Sequence, residues 1–481
     1  MVRTKIIVML LSVHCILSAA ISFAEPNIPA NEPNQPVYLK PMPPEKLKED
    51  LDFLFKTIEE VHPNMYAYIS KEKFTPLRDK LYNQITQPMS RLEFYKAVAP
   101  VVAGLKNGHT YIDPPKEEFT YYLENGGKLF PVEFLCTGNP VTLAACYGVD
   151  DLPIGGEVLQ IDNRDAKEFL INVARYWPAE NRAYNLGMLE RGLLFASLWL
   201  EKGNEQTLKL KMKDRSGIIN EYVIEAIGYG KIKQSVLKKQ KQQVHNKVQD
   251  ADKTYRLIED SNVGLIKFNS FTNLQNFKEF LSKTFAMLKE QNISNLIIDI
   301  RDNPGGDSVL GDELIGYLTD KPFVQFEKIE EKISKQACEK KKWLKEQYPS
   351  IKIGEIKSSN IDLIKPRENL LRFHGKTFLL IGPKTASSGV SFAAAIKYFG
   401  IGILVGQETL DTPVNYGECM MQKLPNSELD FSVACKRFVC AGGKEDGRGV
   451  LPNYEVHQKP EDTAKGVDTV LQFTLNLIKN P

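Results

Sequence analysis

Between residues 45 and 106 apolar side chains return every three or four positions. Leu47, Leu51, Leu54, Ile58 and Val61 share one helical face, and Pro63 stops that helix. Ser90-Arg91-Leu92-Glu93 has the spacing of a capping box and predicts a further helix, with Leu92, Val98, Val101, Val102 and Leu105 for its buried side. The period then shortens. Residues 130–135, 141–146, 156–161, 207–212 and 222–227 are short runs punctuated by Gly, Pro, Asn and Asp, which predicts strands of a small β domain. From residue 261 the pattern alternates. Strands are predicted at 263–268, 295–300, 377–381 and 401–405. Helices are marked by Phe277, Phe280, Leu281, Phe285 and Leu288, and by Phe392, Ala395, Ile396 and Phe399. Strand, helix, strand in this order predicts βαβ units in a parallel sheet. Residues 320–373 interrupt it with a charged insertion, helical in composition around 331–346, that reads as an excursion over the sheet, a lid. A closing helix is predicted at 463–479.

Ser387 and Ser388 fall in the turn between the 377–381 strand and the following helix. In parallel sheets chemistry gathers at the carboxyl ends of strands, and a helix N-terminus offers free N–H groups to a developing anion. A capping role for one serine is the plainer alternative. A second turn, Pro304-Gly305-Gly306, follows the 295–300 strand, and glycine lets backbone N–H groups approach a substrate closely. If the two strands are neighbours, N–H groups at Gly305 or Gly306 and at Ser388 form an oxyanion hole. A serine nucleophile also needs a base. Beyond the N-terminal segment the histidines are His62, His109, His245, His374 and His457. His109, in Asn107-Gly108-His109-Thr110, is the candidate, and the acidic turn Glu445-Asp446 is placed to orient it. Two other arrangements use the same serine. The order Ser387, Asp446, His457 matches the α/β-hydrolases, with Gly389 supplying half of a nucleophile elbow. Lys384 would be the base of a serine–lysine dyad.

Composition narrows the setting. The chain has 481 residues, enough for about two to four domains. A hydrophobic share of 42% and a charged share of 25% are those of a globular protein. The net charge of +2 carries no nucleic-acid footprint. Arg3 and Lys5, an apolar core at 6–16 and Ser22-Phe23-Ala24 read as a signal peptide over 1–24, which predicts export without stable membrane insertion after cleavage. Residues 25–44 read as a flexible leader and the Lys- and Gln-rich run 231–253 as a basic linker or exposed helix. Cys136, Cys146, Cys338, Cys419, Cys435 and Cys440 permit disulfides in an exported chain, with buried free thiols as the alternative. No metal or cofactor signature is present.

Read together, the motifs resemble the serine peptidases that include the tail-specific (C-terminal processing) proteases and the tricorn core protease. The family's D-G-H-T-like motif is similar to residues 107–110. Its D-x-R-x-N-x-G-G turn matches Asp299, Arg301, Asn303, Gly305 and Gly306. Its T-A-S-A-A turn matches residues 385–389, its V-G-E-x-T matches 405–409, and its G-V-x-P-D matches 449–453. The segment 152–164 looks like the core of a PDZ domain. The resemblance implies a multi-domain α/β protein. It would have a helical subdomain (45–112), a PDZ-like β domain (118–230) and a βαβ-rich, ClpP/crotonase-like catalytic core (254–481, with the insertion 320–373). It implies an exported endopeptidase acting on peptides or unfolded proteins without a cofactor, and it permits an oligomer. By likeness Ser387 is the nucleophile, with Gly305, Gly306 and Ser388 at the oxyanion hole. The serine–lysine branch has its lysine near positions 411–413, where Asp411, Thr412 and Pro413 stand. The likeness is therefore to the tricorn-type branch, with His109 as base and Asp446 or Glu445 as the acid. That branch has a serine before its histidine; here the residue is Gly108.

Overall fold

The computed structural model describes residues 37–480 except 150, 151, 244–251, 259, 260, 343, 345, 347 and 348. The expected signal peptide and most of the leader lie outside the described residues.

A six-stranded sheet forms the frame of the second half. Lys253–Ile258 runs antiparallel to Val263–Phe268. Asn295–Asp299, Lys376–Ile381, Ile403–Gly406 and Tyr454–Glu455 then follow in parallel. The near-continuous apolar runs of these strands reflect a sheet covered on both faces. Ile266, Ile298, Leu379 and Leu404 enter one core with Phe277, Phe285, Leu314 and Phe392. Their neighbours Leu265, Ile297, Phe378, Leu380 and Val405 enter another with Val470 and Leu475. Helices Leu274–Glu290, Val309–Leu318 and Ser388–Tyr398 cover the first face, and Thr469–Lys479 covers the second.

Upstream, helices Pro44–Val61, Lys71–Gln84 and Arg91–Ala103 form the predicted helical block, and Ser90 and Glu93 make the full capping box. An antiparallel sheet follows, built from Val132–Leu135, Thr142–Cys146, Glu157–Ile161, Arg164–Asp165, Thr207–Lys213 and Ile219–Glu225. Helices Ala166–Val173, Arg182–Met188 and Leu194–Lys202 lie within that segment. Part of the basic run is the helix Tyr229–Gln243. The six cysteines beyond residue 36 are free thiols.

The insertion carries strands besides the helix expected around 331–346, which it keeps in part. Its charged segment is the strand Phe326–Lys332, followed by the short helix Lys335–Lys340 and the strand Ile356–Asn360. These strands extend a second sheet that contains Tyr111–Ile112, Val414–Lys423 and Asp430–Cys440. The reason lies across the ladder. Glu330 stands opposite Arg437 and Glu331 opposite Lys436, so the acidic run pairs with a basic one. Composition alone gives Glu331 to the helix; the partner strand overrides it.

Candidate active site

Two strand ends meet at the site. Asn295–Asp299 and Lys376–Ile381 are hydrogen-bonded neighbours, so the turns that follow them, 301–307 and 382–388, lie side by side. Asn303, fully buried, ties them together. Its Oδ1 accepts the Gly305 N–H (2.8 Å), its Nδ2 donates to the Phe268 carbonyl (3.2 Å), and its carbonyl accepts the Ala386 N–H (3.0 Å). Thr385 Oγ1 donates to the Ile300 carbonyl (2.9 Å) and accepts the Gly382 N–H (3.1 Å).

This bracing forces Ser387 to φ 50° and ψ −119° immediately before helix Ser388–Tyr398. Such a conformation costs a non-glycine residue about 1–3 kcal/mol and persists where its surroundings over-determine it. The serine side chain makes no capping bond, so the plain capping alternative does not describe Ser387. Ser388 directs its hydroxyl to the Gly306 carbonyl (2.6 Å). Gly305 has φ 104°, and a Cβ there would lie 2.7 Å from Ser387 Cβ and 2.9 Å from the Ser388 nitrogen. The Gly305 N–H is already held by Asn303. Among the described residues no hydrogen bond occupies the N–H groups of Gly306 and Ser388. Of the sequence-derived trio, those two have donors to offer, and Gly305 supplies the close approach.

Asp411 closes the turn from the other side. Both carboxylate oxygens lie 3.0 Å from the Ser387 nitrogen, whose N–H donates to them, and the Leu410 N–H donates to the Thr385 carbonyl (2.8 Å). Asp411 is fully buried. Burial pushes its carboxyl up to about 7, against the downward pull of the Ser387 N–H and the nearby Arg191. Glu180 faces it. Burial, and then the Asp411 charge, push Glu180 up to about 8. Glu180 Oε1 accepts the Gly108 N–H (3.0 Å) and an Asn107 Nδ2 hydrogen (3.2 Å), which links the 107–110 turn to the Ser387 turn through two carboxyl groups.

His109 is only 5% exposed, and its Nδ1 is buried with no hydrogen-bond partner. Burial, and after it the Arg191 charge, lower it to about 4, against the upward pull of the Tyr416 carbonyl. The ring is therefore neutral, the form a general base requires. Gly108 has a steric reason: a Cβ there would sit 2.2 Å from Tyr184 Oη. A serine at this position would collide with that phenol.

The remaining sequence candidates stand elsewhere. Glu445 is exposed and ion-paired with Arg437. Asp446, also exposed, accepts the Arg448 N–H within its own turn (3.0 Å). Among the described residues neither is hydrogen-bonded to His109. The exposed His457 ring is held by Glu455 (2.9 Å) and Gln407 (3.0 Å), and Lys384 faces Asp302 (3.8 Å). Asp411 drew notice in the sequence only for not being a lysine. Glu180, Tyr184 and Arg191 carried no motif at all. Glu331, Glu418 and Cys435 cluster as metal ligands do, but Lys341 and Lys436 neutralise the carboxylates.

A strained serine thus stands at the head of a helix, beside a glycine turn with a free N–H. Residues 262–456 match the model of Peptidase family S41, which bears out the resemblance drawn from the motifs. The tail-specific protease of Haemophilus influenzae is 26% identical over 200 residues, which cover 41% of this chain and 24% of that protein. The match thus spans about a quarter of that relative. The solved structure of mature CPAF complexed with lactacystin has 15% identity and a TM-score of 0.64, and the alignment covers 91% of this chain and 99% of that one. Mature CPAF alone gives 15%, 0.63, 91% and 98%. These structures share the fold across both halves of the chain. No described helix is long and apolar enough to cross a membrane.

Proposed function

We propose that this protein is an exported serine endopeptidase that cleaves peptide bonds in peptides or unfolded proteins. The observation that carries the reading is Ser387, held at φ 50° at the mouth of a helix beside the unoccupied N–H groups of Gly306 and Ser388. Ser387 Oγ attacks the scissile carbonyl. His109 takes the hydroxyl proton and then delivers it to the leaving amine, forming an acyl-enzyme that water hydrolyses. Gly306 and Ser388 donate to the oxyanion, a contribution typically worth about a hundred- to thousandfold per donor. Asp446 is the distant acid of the set. It is the freer member of its pair, since Glu445 is engaged by Arg437. The antiparallel sheet within 132–225 is read as a PDZ-like module, where an extended peptide adds to a strand edge. Export rests on the N-terminal segment.

Digestion of an unfolded protein tests the scheme. Ser387→Ala and His109→Ala should each lose about a thousandfold or more, and the wild type should be labelled by an activated-serine probe. An inert, unlabelled wild type would leave a non-catalytic peptide-binding scaffold. Loss of activity in His457→Ala with His109→Ala active would instead favour an esterase of α/β-hydrolase type.

A further inference from the structure

We infer that Asp411 is a positioning residue whose ionised carboxylate clamps the Ser387 backbone N–H and so holds the nucleophile in its strained conformation. The inference rests on the peptidase reading for its kinetic consequences, though the clamp itself does not. Three observations carry it. Both Asp411 oxygens lie 3.0 Å from the Ser387 nitrogen, an arrangement in which one N–H is shared by a whole carboxylate. The backbone around Asp411 is fixed independently. Leu410 N–H is bonded to the Thr385 carbonyl, and Thr409 Oγ1 donates to the Asp411 carbonyl (3.2 Å) while accepting the Val450 N–H (2.7 Å). Finally, Ser387 is the strained residue, and no other bond is made by its N–H among the described residues.

An unbraced serine at this position relaxes toward ordinary φ, which moves Oγ off the line to the substrate carbonyl. Misplacement of about 1 Å can cost about a hundredfold in rate. A carboxylate accepts the N–H more strongly than a carboxylic acid does, so the clamp tightens as Asp411 ionises. The groups that face it are Tyr184 within helix Arg182–Met188, Arg191 just after that helix, Glu180 in the loop before it, Tyr68 in the segment after helix Pro44–Val61, and Cys440 at the end of its strand. Arg191 favours the ionised form and Glu180 opposes it once charged. His109 titrates lower, at about 4, so an activity limb near pH 7 belongs to Asp411 rather than to the base.

The test uses the whole chain. Asp411→Asn keeps the shape and removes the charge. We expect kcat to fall by about a hundredfold with KM little changed, and the rise of activity through pH 7 to vanish. Glu180→Gln should keep that limb near pH 7, because Glu180, raised to about 8, is still neutral while Asp411 ionises. A second readout needs no turnover: in 15N-serine-labelled protein the Ser387 amide, assigned by its loss in Ser387→Ala, should shift with a midpoint near pH 7 and stay still in Asp411→Asn. A wild-type amide that does not titrate, or an Asp411→Asn enzyme with wild-type kcat and pH profile, overturns the clamp. If the amide titrates while the wild type hydrolyses nothing, the clamp stands and the peptidase reading falls.

Discussion

Two acidic pairs of this chain stand in very different surroundings. Glu445 and Asp446 are adjacent in the chain, conspicuous in the sequence, and exposed to solvent, one tied to Arg437 and the other bonded within its turn. Glu180 and Asp411 are distant in the chain, unremarkable in the sequence, and sunk between Gly108, Arg191 and Ser387. Water screens the first pair, so the ion pair of Glu445 with Arg437 is worth about 0–1 kcal/mol. Burial withholds water from the second, so its carboxyls are raised to about 8 and about 7 and resist ionisation. Perturbed groups of that kind gather where chemistry is done. Adjacency in sequence thus says little about which acids act on a site; burial and backbone partners say more.

The contrast breaks most severely at Gly108, whose N–H donates to Glu180. Gly108→Ala would drive a methyl to 2.2 Å from Tyr184 Oη, and the ring carbons at 2.6 and 2.7 Å leave it no escape. Overpacking of this kind costs about 1–3 kcal/mol and would displace His109 as well. The expected result is loss of nearly all peptidase activity with a lowered urea midpoint. A fully active Gly108→Ala protein would show that Tyr184 is not packed there.

Glu180→Gln sharpens the contrast through stability. The folded protein raises this carboxyl from 4.5 to about 8, so the neutral form is favoured by folding. That contribution is complete below the unfolded value and is lost as pH rises through about 8. Glutamine keeps the acceptor oxygen and cannot ionise. The variant should be more stable than wild type above pH 9, by about 1–3 kcal/mol, and no more stable at pH 4. Denaturation midpoints at the two pH values decide it. The buried histidines act in the opposite sense. His62 and His109 are each lowered to about 4, chiefly by burial, so their contribution is present above about 6.5 and is lost as pH falls through about 4. The unfolding midpoint should therefore drop between pH 6.5 and 4, and less so in His62→Gln.

Much of the frame was readable from periodicity. Strand Val263–Phe268 has its predicted limits, and the strand and helix that flank Ser387 begin within a few residues of theirs. Such elements are buried on both faces, so local apolar runs and long-range packing demand the same thing. The insertion keeps part of its expected helix, but its strands went unread because its glutamates find their partners on a strand about a hundred residues away, which no local pattern encodes. The serine and the glycine turn were legible because a nucleophile corner needs small residues in sequence order. Glu180 and Asp411 were not, because a single acid in a loop looks the same whether it ends up in water or against a buried amide.

The smallest expected effect belongs to Glu445. Its carboxylate faces Arg437, which also holds Glu330 at 2.7 Å, so removing Glu445 leaves the arginine paired across its ladder. An exposed charge of this sort contributes about 0.2–1 kcal/mol. Glu445→Ala should therefore change stability by less than about 1 kcal/mol and leave kcat within about twofold of wild type. Asp446→Ala, measured beside it, should lose more activity than stability, because the proposed role of Asp446 is to orient His109 rather than to hold the turn. Equal, negligible losses in both variants would remove the exposed pair from the mechanism and leave the Tyr416 carbonyl to orient His109.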